Sequence, residues 1–343
     1  MGSEPALAGG VALLGTLALL PPLRHVLVRR SMLDIPNERS SHTLPVPRGG
    51  GVAVALAVTA ALTLGRPTHP TSPYWLLLVV LPAVMCAIGL ADDLRSLSPF
   101  LRLAAEGIAA LVLLVKSGVF TAHGVTTATL LALLVAVLWE VGFVNAFNFM
   151  DGVNGLAAIA ALIGGAAYVV VGDRSGKGAI LVGGAVLAAS GLAFLPFNFP
   201  RASLFLGDTG SYFWGASLAT LALLSLHYGL PIEAVIGPLV PFALDTSFTL
   251  LRRVSSGQCW YASHRDHLYQ RISQSGWSHV RVTILLAGLM LLCAAAGVGS
   301  TSWGPAGRAV ADSLALLGLV FYVVYGLRAL PSQPARPTPI PSG

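Results

Sequence analysis

Charge is scarce in this chain. Asp, Glu, Lys and Arg make up 10% of its 343 residues, against about 25% in soluble domains. Hydrophobic residues make up 55%. Together these values exclude an ordinary soluble domain and define an integral membrane protein. Cysteine is scarce too: Cys86, Cys259 and Cys293 are scattered and form no CxxC pair, so neither a disulfide framework nor a zinc site is implied. The N-terminal MGSEPALAGG has no basic segment, so the first apolar run reads as a retained helix, not a cleaved signal. No internal repeat is present. The formal charge of +6 is distributed as membrane orientation requires and does not imply nucleic acid.

Apolar runs are plentiful. A helix needs about 20 apolar residues to span a bilayer. Such runs lie near 6–27, 50–64, 74–91, 100–115, 129–147, 155–171, 178–195, 211–227, 231–251, 281–299 and 308–330. The expected fold is therefore all-α and polytopic, with about 11 transmembrane helices (10–11). A single catalytic domain is expected over 1–330, followed by a disordered Pro-rich tail at 331–343. Orientation follows from Lys and Arg. With the N-terminus outside, Arg24, Arg29, Arg30, Arg39, Arg48, Arg95, Arg102, Arg201, Arg252, Arg253, Arg265, Arg271, Arg281, Arg328 and Arg336 face the cytoplasm. Only Arg66, Lys116, Arg174, Lys177 and Arg308 face outward.

Five polar stretches interrupt the apolar pattern: SSHTLPVPRGGG (40–51), GLADDLRSLSP (89–99), NAFNFMDGVNG (145–155), FNFPRASLFLGDTGS (197–211) and SHRDHLYQR (263–271). On this map all five fall on the cytoplasmic side. Each has a plain structural reading. Asp92 and Asp93 can cap the helix that starts near Pro99, Asp208 can N-cap the helix after it, and Asn145, Asn148 and Asn154 can be turn residues. His264 and His267 can be interfacial. Glu106 and Glu140 lie inside expected helices, where interhelical hydrogen bonds are their natural role. Three Asn around Asp151 exceed what a turn needs, however, and two adjacent carboxylates at a membrane edge call for a cation.

Carboxylates and Asn without soft ligands suit a hard cation, Mg²⁺ or its substitute Mn²⁺. Arg and His in the last stretch, with Arg48, supply a phosphate clamp. Gly49, Gly50 and Gly51 would let backbone approach an anionic ligand. The assembly reads as phosphoryl-transfer machinery on a membrane surface, with a soluble donor and a lipid acceptor.

GLADDLRSLSP, NAFNFMDGVNGL, FLGDTGS and HRDHLYQR, in this order, resemble the polyprenyl-phosphate N-acetylhexosamine-1-phosphate transferases (glycosyltransferase family 4). These are relatives of the phospho-N-acetylmuramoyl-pentapeptide translocase. The resemblance spans about residues 30–275. It implies transfer of an N-acetylhexosamine 1-phosphate from a UDP-sugar to undecaprenyl phosphate, initiating cell-surface polysaccharide synthesis in the bacterial inner membrane. It also implies roles. Asp92 and Asp93 match the acidic pair near lipid phosphate and metal. Asp208, supported by Asp93, matches the Mg²⁺ ligand. Asn145, Asn148 and Asp151 match the polar cluster of the cleft. Phe205, Asn198 and Asn154 match the uracil-binding positions. Arg48, His264, His267 and Arg271 match basic positions around the phosphates. Many relatives read HLHHR where this chain has His267, Leu268, Tyr269, Gln270 and Arg271, so two of the histidines are missing. The translocase branch carries a run of consecutive histidines there, which this chain lacks, and HRDHLYQR more closely resembles the branch that starts surface polysaccharides. A homodimer is compatible with the pattern. Two other classes fit the pattern less well: a transporter, whose polar sites usually lie near the bilayer midplane, and a CDP-alcohol phosphotransferase, whose long DG…AR…G…D motif is absent.

Overall fold

The computed structural model describes residues 3–35, 45–64, 73–119, 124–259, 261 and 264–329. His42 and the tail at 331–343 lie outside the described residues. The chain is helical almost throughout. Its elements are α1 (Glu4–Arg29), β1 (Leu33–Asp34), β2 (Val46–Pro47), α2 (Gly51–Leu64), α3 (Pro73–Arg95), α4 (Pro99–Ser117), α5 (Thr127–Met150), α6 (Leu156–Arg174), α7 (Gly178–Asn198), α8 (Gly207–His227), α9 (Ile232–Ile236), α10 (Val240–Ser255), α11 (Leu268–Gln274), α12 (His279–Ser300) and α13 (Pro305–Arg328). A 3₁₀ turn at Gly237–Leu239 joins α9 to α10. Pro238 and Pro241 carry no N–H, which breaks the regular ladder there.

Each expected apolar run coincides with helix. Among the described residues, eight helices are long and apolar enough to cross a membrane, counting Ile232–Ser255 as one. The α2 helix is apolar but has 14 residues. The α4 run carries Arg102, Glu106 and Lys116, and α8 opens on Gly, Asp, Thr and Ser.

The α8 helix is the axis of the bundle. Nearly every residue from Gly207 to Ser225 is buried, because α2, α3, α5 and α7 all pack on it. A helix hydrophobic all round belongs inside a bundle. Elsewhere small residues set the spacing. A Cβ on Gly184 would meet the Gly165 carbonyl oxygen at 2.6 Å, so α6 and α7 approach backbone to backbone, as small residues permit in membrane bundles. The buried acids behave as expected of interhelical groups: Asn145 donates to Glu106, and Thr220 donates to Glu140 at 3.4 Å.

Consecutive helices run back and forth. The α3–α4, α5–α6 and α7–α8 junctions therefore meet at one end of the bundle, with the β1–β2 hairpin and α11.

Candidate active site

The site is built on the first turn of α8. Four N–H groups at a helix start lack intrahelical partners. Here the cap comes from another helix. Asp93, near the end of α3, accepts from the Asp208 N–H at 3.1 Å, from the Thr209 N–H at 2.9 Å and from the Thr209 hydroxyl at 2.7 Å. Asp208 is therefore not the N-cap. Its own carboxylate is left free to face the cleft. Close packing makes this possible: a Cβ on Gly89 of α3 would lie 2.4 Å from the Asp208 carbonyl oxygen, and one on Gly51 would lie 2.2 Å from Gly210 N. The glycine triplet thus packs against protein. The N–H groups of Gly49 and Gly50 donate to the Phe205 carbonyl at 3.2 and 2.9 Å, and that of Gly51 to Leu206 at 2.8 Å. None of the three is left for an anionic ligand.

Asp208 is held by two side chains. Arg48 Nη2 donates to its Oδ1 at 2.6 Å, and Asn148 Nδ2 donates to the same oxygen at 3.0 Å. Arg48 also pairs with Asp93 at 2.9 Å. Burial alone would lower the Arg48 pKa, but the Asp208 and Asp93 charges outweigh it and raise it. Asp151, the C-cap of α5, lines the same cleft. Desolvation, reinforced by the Asp208 charge, pushes its carboxyl up to about 8.

These groups face an open cavity of about 660 Å³. Its walls come from four junctions: Asp34 and Arg48; Asn148, Asp151 and Asn154; Asn198, Phe205 and Asp208; then Arg265, Tyr269, Gln270, Ser273, Gln274, Trp277 and His279. Phe205 is fixed through its backbone, its N–H donating to the Pro47 carbonyl at 2.8 Å. Asn198 is buried and holds the wall by accepting from the Gly155 N–H at 2.6 Å and donating to Leu204 at 3.0 Å. Asn154 donates to Pro200 at 3.1 Å.

Several expected site residues stand elsewhere. Asn145 is a helix-to-helix link to Glu106, behind the cleft. Asp92 pairs with Arg102 at 2.5 Å and accepts from the Leu97 N–H at 2.7 Å, so it ties the α3–α4 turn while remaining beside Asp208. Asp93 has both oxygens engaged, Oδ1 by Arg48 and the Asp208 N–H and Oδ2 by Thr209 at the start of α8. His267 is buried, 3.2 Å from Asp245 and ringed by Phe149, His264 and Tyr269. His264 lies 5.0 Å from it, ring centre to ring centre. Burial, then the neighbouring His267 and Arg253, lowers its pKa to about 4. Arg271 donates to the carbonyls of Gly326, Leu327 and Ala329 at the end of α13 and is a strut between helices. None of these three basic residues lines the cavity.

The sequence reading passed over Asp245. This fully buried carboxylate of α10 accepts from the Leu268 and Tyr269 N–H groups at 2.9 and 3.1 Å, from the Tyr322 hydroxyl at 2.5 Å and from Thr249 at 3.2 Å. The available signal was an Asp inside an apolar run, where ionisable residues always have a task. Arg265 was also missed as a cleft residue, although it stands in HRDHLYQR between the two histidines singled out.

Among the described residues no three His, Cys, Asp or Glu side chains cluster as a metal cage. Mg²⁺ takes one or two protein carboxylates and completes its shell with water and substrate phosphate. Asp208, already paired with a cationic guanidinium, and Asp151, which lines the same cavity, are the groups of the right hardness.

A membrane-embedded bundle with a carboxylate-and-arginine cleft at one end defines a surface phosphotransferase class of site. Residues 75–226 match glycosyl transferase family 4. The chain is 31% identical to the probable undecaprenyl-phosphate N-acetylglucosaminyl 1-phosphate transferase of Bacillus subtilis, over 82% of this chain and 80% of the relative. It is 31% identical to the decaprenyl-phosphate N-acetylglucosaminephosphotransferase of Mycobacterium tuberculosis, over 82% and 79%. It is also 29% identical to the phospho-N-acetylmuramoyl-pentapeptide-transferase of Levilactobacillus brevis, over 76% and 85%. The chain belongs to glycosyl transferase family 4.

Proposed function

We propose that this protein transfers an N-acetylhexosamine 1-phosphate from a UDP-sugar to a polyprenyl phosphate, undecaprenyl phosphate in the first instance. The products are UMP and a polyprenyl-pyrophosphoryl sugar, and the step opens the synthesis of a cell-surface polysaccharide. The observation that carries the reading is Asp208, fixed at a buried helix start and turned into a cavity of about 660 Å³ with Asp151, Arg48 and Arg265 on its walls. The names of the similar proteins support the same chemistry. A transport site would be expected near the bilayer midplane, whereas this cleft lies at the bundle's end.

Asp208 and Asp151 would hold Mg²⁺, which would supply positive charge to the donor pyrophosphate and the departing UMP. The chain's own residues do the rest. Phe205 offers a face for uracil, Asn154 stands beside it, and Asn198 keeps that wall in place. Arg48 and Arg265 bring permanent positive charge to the phosphates. An oxygen of the polyprenyl phosphate attacks the sugar-bearing phosphorus in line. One P–O bond forms, and the bond to the bridging oxygen breaks as UMP leaves with the electron pair. A phosphate monoester has a second pKa of about 6, so the acceptor needs little base catalysis and no covalent enzyme intermediate is required. Asp92 serves as a positioning group near the acceptor, held by Arg102.

We further propose eleven membrane crossings, α9 and α10 forming one, with the N-terminus outside and the cleft at the cytoplasmic face of the bacterial inner membrane. The fifteen-to-five split of basic residues supports this orientation.

The test uses purified full-length protein with UDP-N-acetylglucosamine, undecaprenyl phosphate and Mg²⁺. UMP should appear in equal amount to lipid-linked sugar, and chelation or Asp208→Asn should stop both. Binding of the UDP-sugar without UMP formation would sink the proposal. A panel of UDP-sugars then identifies the hexosamine.

A further inference from the structure

Arg48 pairs with both carboxylates at the start of α8. Its backbone is pinned, the N–H donating to the Met32 carbonyl at 3.2 Å and the residue bridging to Phe205. Its guanidinium spans Asp208 Oδ1 at 2.6 Å and Asp93 Oδ1 at 2.9 Å, and its side chain is 40% exposed on the cleft side. Guanidinium is always charged, and a metal ion bonding to Asp208 would lie against it, cation on cation.

The two carboxylates depend on Arg48 unequally. If the guanidinium leaves, Asp93 keeps its three donors from Asp208 and Thr209. Asp208 keeps the Asn148 amide, with the Asp92 carboxylate beside it. A partly buried carboxylate stripped in this way needs another cation. Arg48 also lines the cavity in which the donor's phosphates would lie, and the guanidinium fork fits phosphate as well as it fits carboxylate.

We propose that Arg48 is a displaceable counter-cation. It neutralises Asp208 while the cleft is empty and passes to the donor's phosphate when donor and divalent cation arrive together. This rests on the sugar-1-phosphate reading above. Its consequence is synergy: metal alone must compete with Arg48, whereas donor draws Arg48 away, so each ligand strengthens the other by the same factor.

The experiment measures Mn²⁺ binding to the detergent-solubilised full chain by electron paramagnetic resonance, with and without UDP-N-acetylglucosamine. The wild type should bind Mn²⁺ weakly alone and about tenfold or more tightly with donor, the scale of one charge-assisted hydrogen bond. Arg48→Gln should bind Mn²⁺ alone about tenfold more tightly than wild type and show a donor effect smaller by the same factor, the remainder being direct ligation of the metal by donor phosphate. Asp208→Asn should lose the site in either background. If Asp208→Asn removes Mn²⁺ binding but Arg48→Gln binds no more tightly than wild type, the counter-cation role is overturned while the metal assignment stands. If Asp208→Asn leaves binding intact, the metal assignment falls and the inference falls with it. Should Arg48→Gln fail to fold, the wild type alone decides: Mn²⁺ affinity independent of donor overturns the proposal.

Discussion

Phe205 owes its position to its backbone, which is hydrogen-bonded to Pro47, Gly49 and Gly50. Its ring can therefore be removed without moving the wall. Base stacking on an aromatic ring is worth about 1–3 kcal/mol, and it acts in ground and transition states alike. Phe205→Ala should raise KM for the UDP-sugar about ten- to a hundredfold and change kcat little. An unchanged KM would remove Phe205 from the nucleotide pocket. His264 makes a different prediction. Its folded pKa of about 4 lies below the ordinary value of about 6.5, so the fold favours the neutral ring. The resulting stability is present above the ordinary value and is lost as pH falls toward the folded one. The thermal-stability margin of wild type over His264→Gln should therefore shrink between pH 7.5 and pH 5. A margin that grew toward acid would contradict the placement of His264. At this scale Asp208 and Asp151 were legible because charge inside apolar sequence is conspicuous. The role of Asp93 was not, because a cap donated from another helix leaves no local pattern.

The α11 helix shows how the phase of a short helix sorts the side chains of one motif. It has seven residues, and its phase decides which side chains meet the cleft. Gln270, Ser273 and Gln274 recur at three- and four-residue intervals and line the cavity, as one face of a helix must, and Trp277 joins them from beyond the helix end. His267 and Arg271, four apart, share another face and meet α10 and α13 instead. The sequence places HRDHLYQR at the site but cannot say which of its side chains look in. What holds α11 is Asp245. Asp245→Asn would set an amide N–H₂ against the donors that Asp245 now accepts, leaving buried groups unpaired at about 1–3 kcal/mol. Hydrogen exchange at the Leu268 and Tyr269 amides should accelerate in this variant, with α6 and α7 unchanged, and KM for the donor should rise. Protection equal to wild type would deny Asp245 its positioning role.

For the whole molecule, the apolar runs anticipated where helices lie, since composition and length alone decide what can span. They did not anticipate that α8 would be the axis, because burial on all sides comes from packing and α8's sequence opens on polar residues. Orientation gives the fourth prediction. With native cysteines replaced, a cysteine at position 256, just after α10, should resist an impermeant thiol reagent in intact cells and react after permeabilisation. Reaction in intact cells would invert the map and put the cleft on the wrong side for a nucleotide donor. The central claim, transfer of sugar together with its phosphate, is tested most directly by the fate of the donor's β-phosphorus. With UDP-N-acetylglucosamine labelled there and undecaprenyl phosphate as acceptor, the label should move quantitatively into the lipid pyrophosphate and leave UMP unlabelled. Label retained in a water-soluble nucleotide while sugar appears on the lipid would contradict it.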